Sequence, residues 1–144
     1  PSRYDERRVV TRGSQYDAVE DLQPVATAEE ILTLQDTVAL VRVDESLMDY
    51  AERIVAETRR SPLLQLGVSP RGFQSWYRAA QARALSEGRD YCIPDDLRDL
   101  VMPALAHRLV LPSGSQGGYG DSLGTGRAEA ERILSNILER IPLP

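Results

Sequence analysis

The sequence contains no lysine, so all 17 of its basic residues are arginine. A chain without lysine cannot hold the lysine of a Walker A phosphate loop, a Schiff-base lysine or a lysine general base. The single cysteine, Cys92, excludes an intrachain disulfide and a cysteine-rich zinc site. The single histidine, His107, excludes motifs that need two histidines, and we predict no metal site. Most complete catalytic constellations are therefore excluded before any motif is considered.

The chain also lacks a long apolar run and an excess of positive charge. No stretch reaches the roughly 18–20 apolar residues that a membrane span requires. The first ten residues, PSRYDERRVV, are too polar for a signal peptide. We therefore expect a cytoplasmic protein without a membrane partner. With 22 acidic residues the net charge is −5, which disfavours general nucleic-acid binding, so no nucleic-acid partner is expected.

Apolar residues along the 144-residue chain follow helical spacing almost throughout. Together with its capping residues and helix breakers, this spacing predicts an all-α fold, a helical bundle of about six helices in one domain. A short first helix would follow Ser2 and end near Arg12, and the next would follow a capping box at Thr27–Glu30. Residues 112–126 hold six of the ten glycines, which predicts a flexible loop before a last helix from about Arg127 to Arg140.

The central helices have clear start and stop signals. Asp44 is the predicted N-cap of a helix that ends before Pro62, and Gly88 is predicted to end the helix after it. Pro103 lies within the following helical pattern and predicts a kink or break. The residues predicted to face inward are Leu47, Ala51, Ile54, Val55 and Thr58, then Phe73, Trp76, Ala80 and Ala84, then Leu97, Leu100, Val101, Ala104 and Leu105, and finally Ala130, Ile133, Leu134, Ile137, Leu138 and Ile141.

The segment Gly67-Val-Ser-Pro-Arg71-Gly72 has the clearest pattern for chemistry. Gly67 permits a tight entry, Ser69 is a helix cap, and Pro70 fits the first helical position, where no N–H is missed. Free amides at this helix N-terminus and the guanidinium of Arg71 together suit a phosphate. Without an anion, a cation at this end of the helix dipole is unfavourable by about 0.3–1 kcal/mol. On these residues alone, the simpler interpretation is favoured, a capped surface helix in which Arg71 pairs with a nearby acid.

Three separated segments share their order and spacing with one known family. They are Leu66-Gly-Val-Ser-Pro-Arg-Gly72, Ala84-Leu-Ser-Glu-Gly-Arg-Asp-Tyr91, and Ile93-Pro-Asp-Asp-Leu97 followed by Ala106-His-Arg-Leu109. Shorter matching pieces lie at Asp21–Val25, Glu57–Arg59 and Ile141–Pro144. Over residues 1–111 and 127–144, the chain resembles the C-terminal lid domain of MoxR-type AAA+ ATPases, relatives of the magnesium-chelatase ATPase subunit.

The resemblance implies a helical lid that packs on an α/β nucleotide-binding domain of the same parent chain. It implies that Ser69, Pro70 and Arg71 form the sensor-2 motif, in which Arg71 contacts ATP phosphates, within or across subunits, and assists catalysis. Ser69 and Pro70 would shape that motif. The parent would bind ATP with Mg²⁺ as a homo-oligomer, expected to be a hexamer. Its expected work is chaperone-like maturation of, or metal insertion into, partner proteins with von Willebrand A-type domains.

The sequence also departs from the family pattern. The nucleotide-binding core is absent, with no Walker A, no Walker B and no arginine finger, so we expect an excised lid that neither hydrolyses ATP nor binds it tightly alone. Ile93 stands where such lids often have a Thr or Ser cap. Arg78 could extend an anion surface beside Arg71, although a solvated face is the simpler interpretation. Two other functions stay open, a self-standing helical protein-interaction module and an arginine-based DNA-binding domain.

Overall fold

A computed structural model describes residues 22–112 and 122–144 of the chain. The predicted helix between Ser2 and Arg12, and most of the glycine-rich segment, lie outside the described residues. The chain divides into two compact units, Pro1–Leu34 and Gln35–Pro144.

The described residues form helices joined by turns and two isolated bridges, which confirms the predicted all-α class. The elements are α1 (Ala28–Val38), α2 (Glu45–Arg60), α3 (Pro70–Ser86), α4 (Pro94–Arg98), α5 (Val101–Leu105), a 3₁₀ turn (Ala106–Arg108) and α6 (Ser122–Arg140). Within the described ranges, none of these helices combines the length and the apolarity needed to cross a membrane.

α1 begins at the predicted capping box. The Thr27 Oγ1 accepts a hydrogen bond from the Glu30 N–H at 3.2 Å, and a Glu30 carboxylate oxygen accepts one from the Thr27 N–H at 2.7 Å. The helix ends at Val38, and the buried Val41 lies beyond it. None of the α1 side chains is buried.

The core of the second unit is built from the inner faces of α2, α3 and α6 with the short helices between them. The predicted inward positions are confirmed, although Phe73, Leu100, Ala104 and Leu138 are only partly buried. Trp76 is fully buried, and its indole N–H donates to the carbonyl of Leu97 at 3.0 Å. That bond ties α3 to α4 without leaving the indole nitrogen unsatisfied.

The break attributed to Pro103 lies about one turn earlier than the proline itself. α4 ends at Arg98 and α5 begins at Val101, so Pro103 is inside α5. Proline has no N–H to donate to the carbonyl of residue i−4, here Asp99, and its ring clashes with that carbonyl. The helix therefore breaks next to Asp99, and Pro103 continues in the first turn of the new helix.

The last helix begins earlier than the sequence predicts. α6 starts at Ser122, so residues 122–126, assigned to the flexible loop, are helical, while residues 113–121 lie outside the described residues. Each helical glycine disfavours this extension by about 1 kcal/mol relative to alanine. Gly126 is half-buried, and a Cβ built on it would lie 3.9 Å from a Leu111 methyl, an ordinary contact distance, so the structure does not require glycine there.

Candidate functional site

The start of α3 is attached to the end of α2 by a set of contacts that we call the clamp, made by Thr58, Arg59, Gly67 and Val68. Thr58 is fully buried. Its hydroxyl donates to the Val55 carbonyl at 2.7 Å and accepts from the Val68 N–H at 3.1 Å. The Nε of Arg59 donates to the Val68 carbonyl at 2.8 Å. Both backbone polar groups of Val68 are thus held by side chains from the last turn of α2.

Gly67 completes the clamp through close approach. A Cβ built on Gly67 would lie 2.6 Å from the Arg59 nitrogen and 2.6 Å from the carbonyl carbon and oxygen of Thr58. Real Cβ atoms do not tolerate such distances to backbone atoms, which cannot swing away as a side chain can. Glycine is therefore required at position 67 because a side chain would not fit there. Its φ is not in the left-handed region, so conformation is not the reason.

Ser69 and Pro70 occupy the predicted cap and first helical position. The Ser69 hydroxyl accepts from the Gly72 N–H at 3.1 Å, and the Ser69 carbonyl accepts from the Phe73 N–H at 2.9 Å. Pro70 has no N–H to offer. Among the described residues, the backbone N–H of Arg71 is therefore the one amide of the first turn that has no acceptor. The sequence predicts several free amides at this helix N-terminus, and the structure leaves fewer.

Arg71 presents its guanidinium to solvent from the second position of α3. Within the described parts of the chain, no carboxylate forms an ion pair with this guanidinium and no acceptor receives its hydrogen bonds. The simpler interpretation, an arginine paired with a nearby acid, thus has no such acid among those residues. A free guanidinium beside one free amide fits the fork-like recognition of phosphate oxygens.

Arg78 has a different environment from Arg71. Its guanidinium donates to the Gln81 side-chain oxygen at 3.2 Å, and the Gln81 amide donates to the Val41 carbonyl at 2.7 Å. Gln81 is buried. Arg78 therefore takes part in a structural contact that holds the segment before α2 against α3.

The C-terminal end of α3 carries a second group of arginines, and these are fully paired. Arg89 donates to both carboxylate oxygens of Asp96 at 2.7 and 2.8 Å and to Glu87 at 2.9 Å. Arg83 donates to Asp99 at 2.8 Å and lies 3.7 Å from Asp96. We call these five residues the arginine–aspartate network.

Asp96 is the buried centre of this network, with 1% of its side chain exposed. The Asp96 carboxylate also accepts a hydrogen bond from the Ile93 N–H at 2.8 Å. This bond helps to cap α4, because the side chain of Ile93, the N-cap residue, has no acceptor. Burial raises the pKa of Asp96, but the hydrogen bonds from Arg89 and Ile93 and the two positive charges outweigh it, so the pKa lies below its usual value. Burial raises the pKa of the adjacent Cys92 thiol to about 11, which keeps it protonated.

Two of these arrangements were not predicted from the sequence. Thr58 was assigned to an apolar stripe, although its hydroxyl has a specific partner ten residues later. The sequence pattern did not indicate that Asp96 binds Arg89 and accepts a hydrogen bond from the Ile93 N–H. Asp96 is an acid at the third position of a helix whose N-cap residue has no capping side chain. That pattern could have indicated the bond from the Ile93 N–H to the Asp96 carboxylate. No group of three or more potential metal ligands occurs in residues 22–112 and 122–144.

Comparison with known proteins places these features in a family. A family profile for the AAA lid domain matches residues 56–131, more than half of the chain. The uncharacterized protein YeaC of Bacillus subtilis (strain 168) is 38% identical over 145 residues, covering all of this chain and 42% of YeaC. Chaperone MoxR1 of Mycobacterium tuberculosis is 29% identical over 153 residues, covering all of this chain and 38% of MoxR1.

A solved structure shares the fold. The crystal structure of a candidate ATPase from Cytophaga hutchinsonii matches 99% of this chain with a TM-score of 0.71 and 23% identity, and the match covers 44% of that protein. The chain thus spans less than half the length of each of these relatives. The matched residues 56–131 include the clamp, the start of α3 and the arginine–aspartate network. The chain belongs to the AAA lid domain family and is related to the MoxR chaperone.

Proposed function

We propose that this chain is the sensor-2 lid of a MoxR-like AAA+ ATPase, in which Arg71 contacts the phosphates of ATP and couples nucleotide state to the position of the lid. The observation that carries the proposal is the exposed guanidinium of Arg71, which has no partner among the described residues at an end of α3 where a cation is unfavourable. A bound phosphate reverses the sign of that interaction.

In this role Arg71 stabilises negative charge that develops on the phosphates during transfer. Ser69 and Pro70 do not touch the reaction in this proposal. They fix the first turn of α3 and so direct the Arg71 side chain and its free backbone N–H toward one place. One arginine and one amide are an incomplete site, so binding requires further groups from a nucleotide-binding domain.

The remaining parts of the proposal concern the longer protein. The lid would pack on a nucleotide-binding domain of the same chain that binds ATP with Mg²⁺, within a homo-oligomeric ring, proposed to be a hexamer, in the cytoplasm. Its work would be chaperone-like maturation of, or metal insertion into, proteins with von Willebrand A-type domains. Support comes from the resemblance and from the relative named as a chaperone, of which this chain covers 38%.

The direct test is steady-state ATP turnover of the full-length protein that carries this lid, with Arg71→Ala. We expect turnover to fall by about 100-fold, the size of effect seen when one donor to a developing negative charge is removed. Arg71→Lys keeps the charge but loses the planar fork, so it should restore turnover only in part.

Arg53→Ala is the matched control, because Arg53 is exposed in the middle of α2 and lacks a hydrogen bond or ion pair among the described residues. This control should turn over ATP at the wild-type rate. Wild-type turnover by Arg71→Ala would refute the sensor-2 assignment and would favour the alternative, a self-standing helical interaction module.

A further inference from the structure

The clamp lies immediately before the residue that the proposed function depends on. Val68 is 1% exposed, and Arg71 follows it by three residues. Both backbone polar groups of Val68 are bound by α2 side chains, and Gly67 leaves no space between the two chain segments. The segment that leads into α3 is therefore fixed by side-chain contacts as well as by backbone geometry.

We propose that Thr58 and Arg59 are positioning residues, which fix the start of α3 on the end of α2 so that the Arg71 guanidinium reaches the ATP phosphates. This inference rests on the proposed sensor-2 function. Thr58 acts from the buried side, through the Val68 N–H, and Arg59 acts from the exposed side, through the Val68 carbonyl. Neither residue touches the nucleotide in this arrangement.

The contacts also explain why α2 matters for the position of Arg71. α2 is fixed at its start by the Asp44 cap and along its length by five buried residues before Thr58. Any movement of α2 within the lid is transmitted to Val68, because side chains of α2 bind both the N–H and the carbonyl of Val68. A group held within a fraction of an ångström by supporting contacts works far better than a loosely held one, and a misplacement of about 1 Å can reduce rates by about 100-fold.

The test compares Thr58→Val with Thr58→Ser in the full-length protein. Valine keeps the shape of threonine but removes the hydroxyl, and serine keeps the hydroxyl. We expect Thr58→Val to reduce ATP turnover by about tenfold. Thr58→Ser should turn over ATP near the wild-type rate, because the serine hydroxyl can still accept the hydrogen bond from the Val68 N–H.

A double variant separates positioning from general loss of structure. If Thr58 acts through Arg71, adding Thr58→Val to Arg71→Ala should cause no further loss of turnover. Two losses that multiply would show that Thr58 acts independently of Arg71, and would overturn the inference. Wild-type turnover by Thr58→Val would also overturn it, provided that Arg71→Ala has reduced turnover. Wild-type turnover by Arg71→Ala would instead refute the proposed function itself.

A second variant covers the case in which Thr58→Val does not fold. Arg59→Met removes the donor to the Val68 carbonyl from an exposed residue, so the core stays intact. The matched control is Arg60→Met, which removes the same charge from a guanidinium paired with Glu57 at 3.5 Å. We expect about a tenfold loss of turnover for Arg59→Met and none for Arg60→Met. Equal turnover by the two variants would overturn the inference.

Discussion

The arginines at the two ends of α3 differ in whether a carboxylate pairs with them. At the C-terminal end, where the helix dipole favours cations, Arg83 and Arg89 are bound by three carboxylates in the arginine–aspartate network. At the N-terminal end, where the dipole disfavours a cation, Arg71 is exposed and has no carboxylate partner among the described residues. The paired arginines, Arg83 and Arg89, therefore serve the fold, and the difference is consistent with the proposal that Arg71 serves a ligand.

The largest expected effect on stability is at the paired end. Asp96→Ala leaves Arg89 without its main partner and removes the cap from Ile93. We expect the free energy of unfolding to fall by about 3 kcal/mol, at the lower end of the range for a broken buried ion pair because Arg89 retains 17% exposure. Urea unfolding measures it. The control, Asp95→Ala, removes an exposed neighbouring acid and should change stability by at most about 0.5 kcal/mol. Equal effects would contradict the buried role of Asp96.

The same carboxylate predicts a dependence on pH. The pKa of Asp96 is lower in the folded chain than its ordinary value of 3.8. Its contribution to stability is therefore fully present above about pH 4 and is lost as the pH falls through the lower folded pKa. Asp96→Asn lacks this contribution at every pH. The stability difference between wild type and Asp96→Asn should shrink on acidification below pH 4, and a constant difference would show that Asp96 does not titrate as described.

Glycines at the two ends of α3 sharpen the contrast. Gly67→Ala inserts a Cβ at 2.6 Å from backbone atoms and should destabilise the fold by about 2–3 kcal/mol. Gly88 has a φ of 76° and no atom within 4 Å of an added Cβ, so Gly88→Ala should cost only about 1 kcal/mol. Asparagine tolerates positive φ, so Gly88→Asn should be milder than Gly88→Ala, while Gly67→Asn should be no milder than Gly67→Ala. The reverse ranking would refute the interpretation that Gly67 is required because a Cβ has no space there and that Gly88 is required because of its positive φ.

A smaller effect is expected at the cap of α3. Ser69→Ala removes the acceptor for the Gly72 N–H and should lower the free energy of unfolding by about 1 kcal/mol. Ser69→Asp retains an acceptor and should stay close to wild-type stability. The aspartate would, however, place a negative charge beside the proposed phosphate position, so turnover of the full-length protein should fall. A destabilised Ser69→Asp variant would show that the hydroxyl does more than cap the helix.

Features set by adjacent residues were predictable from the sequence, whereas contacts between separate elements were not. The Ser69 cap, the Pro70 position and the exposed Arg71 follow from a few adjacent residues, so the sequence indicated them. The Thr58–Val68 bond and the Arg89–Asp96 pair join residues that are adjacent only after the helices pack. Apolar periodicity treats Thr58 as one more inward position and carries no information on what its hydroxyl meets.

Two helix boundaries lie a few residues from their predicted positions. Pro103 was correctly identified as a break, but the break itself falls where the carbonyl of residue i−4 would have been, about one turn earlier. The glycines of residues 112–126 predict a start of α6 near Arg127, whereas the helix extends back to Ser122. In each case the local signal was correct in kind, but the boundary lies a few residues earlier than the signal itself.

We propose that Arg71 serves a ligand and contributes nothing to the fold. The most direct test is the free energy of unfolding of Arg71→Ala relative to wild type, measured without nucleotide. Removing a cation from the N-terminal end of α3 should leave stability unchanged or raise it by about 0.3–1 kcal/mol. A loss of about 1 kcal/mol or more would show that Arg71 has a structural partner and would refute the proposal that it serves only a ligand.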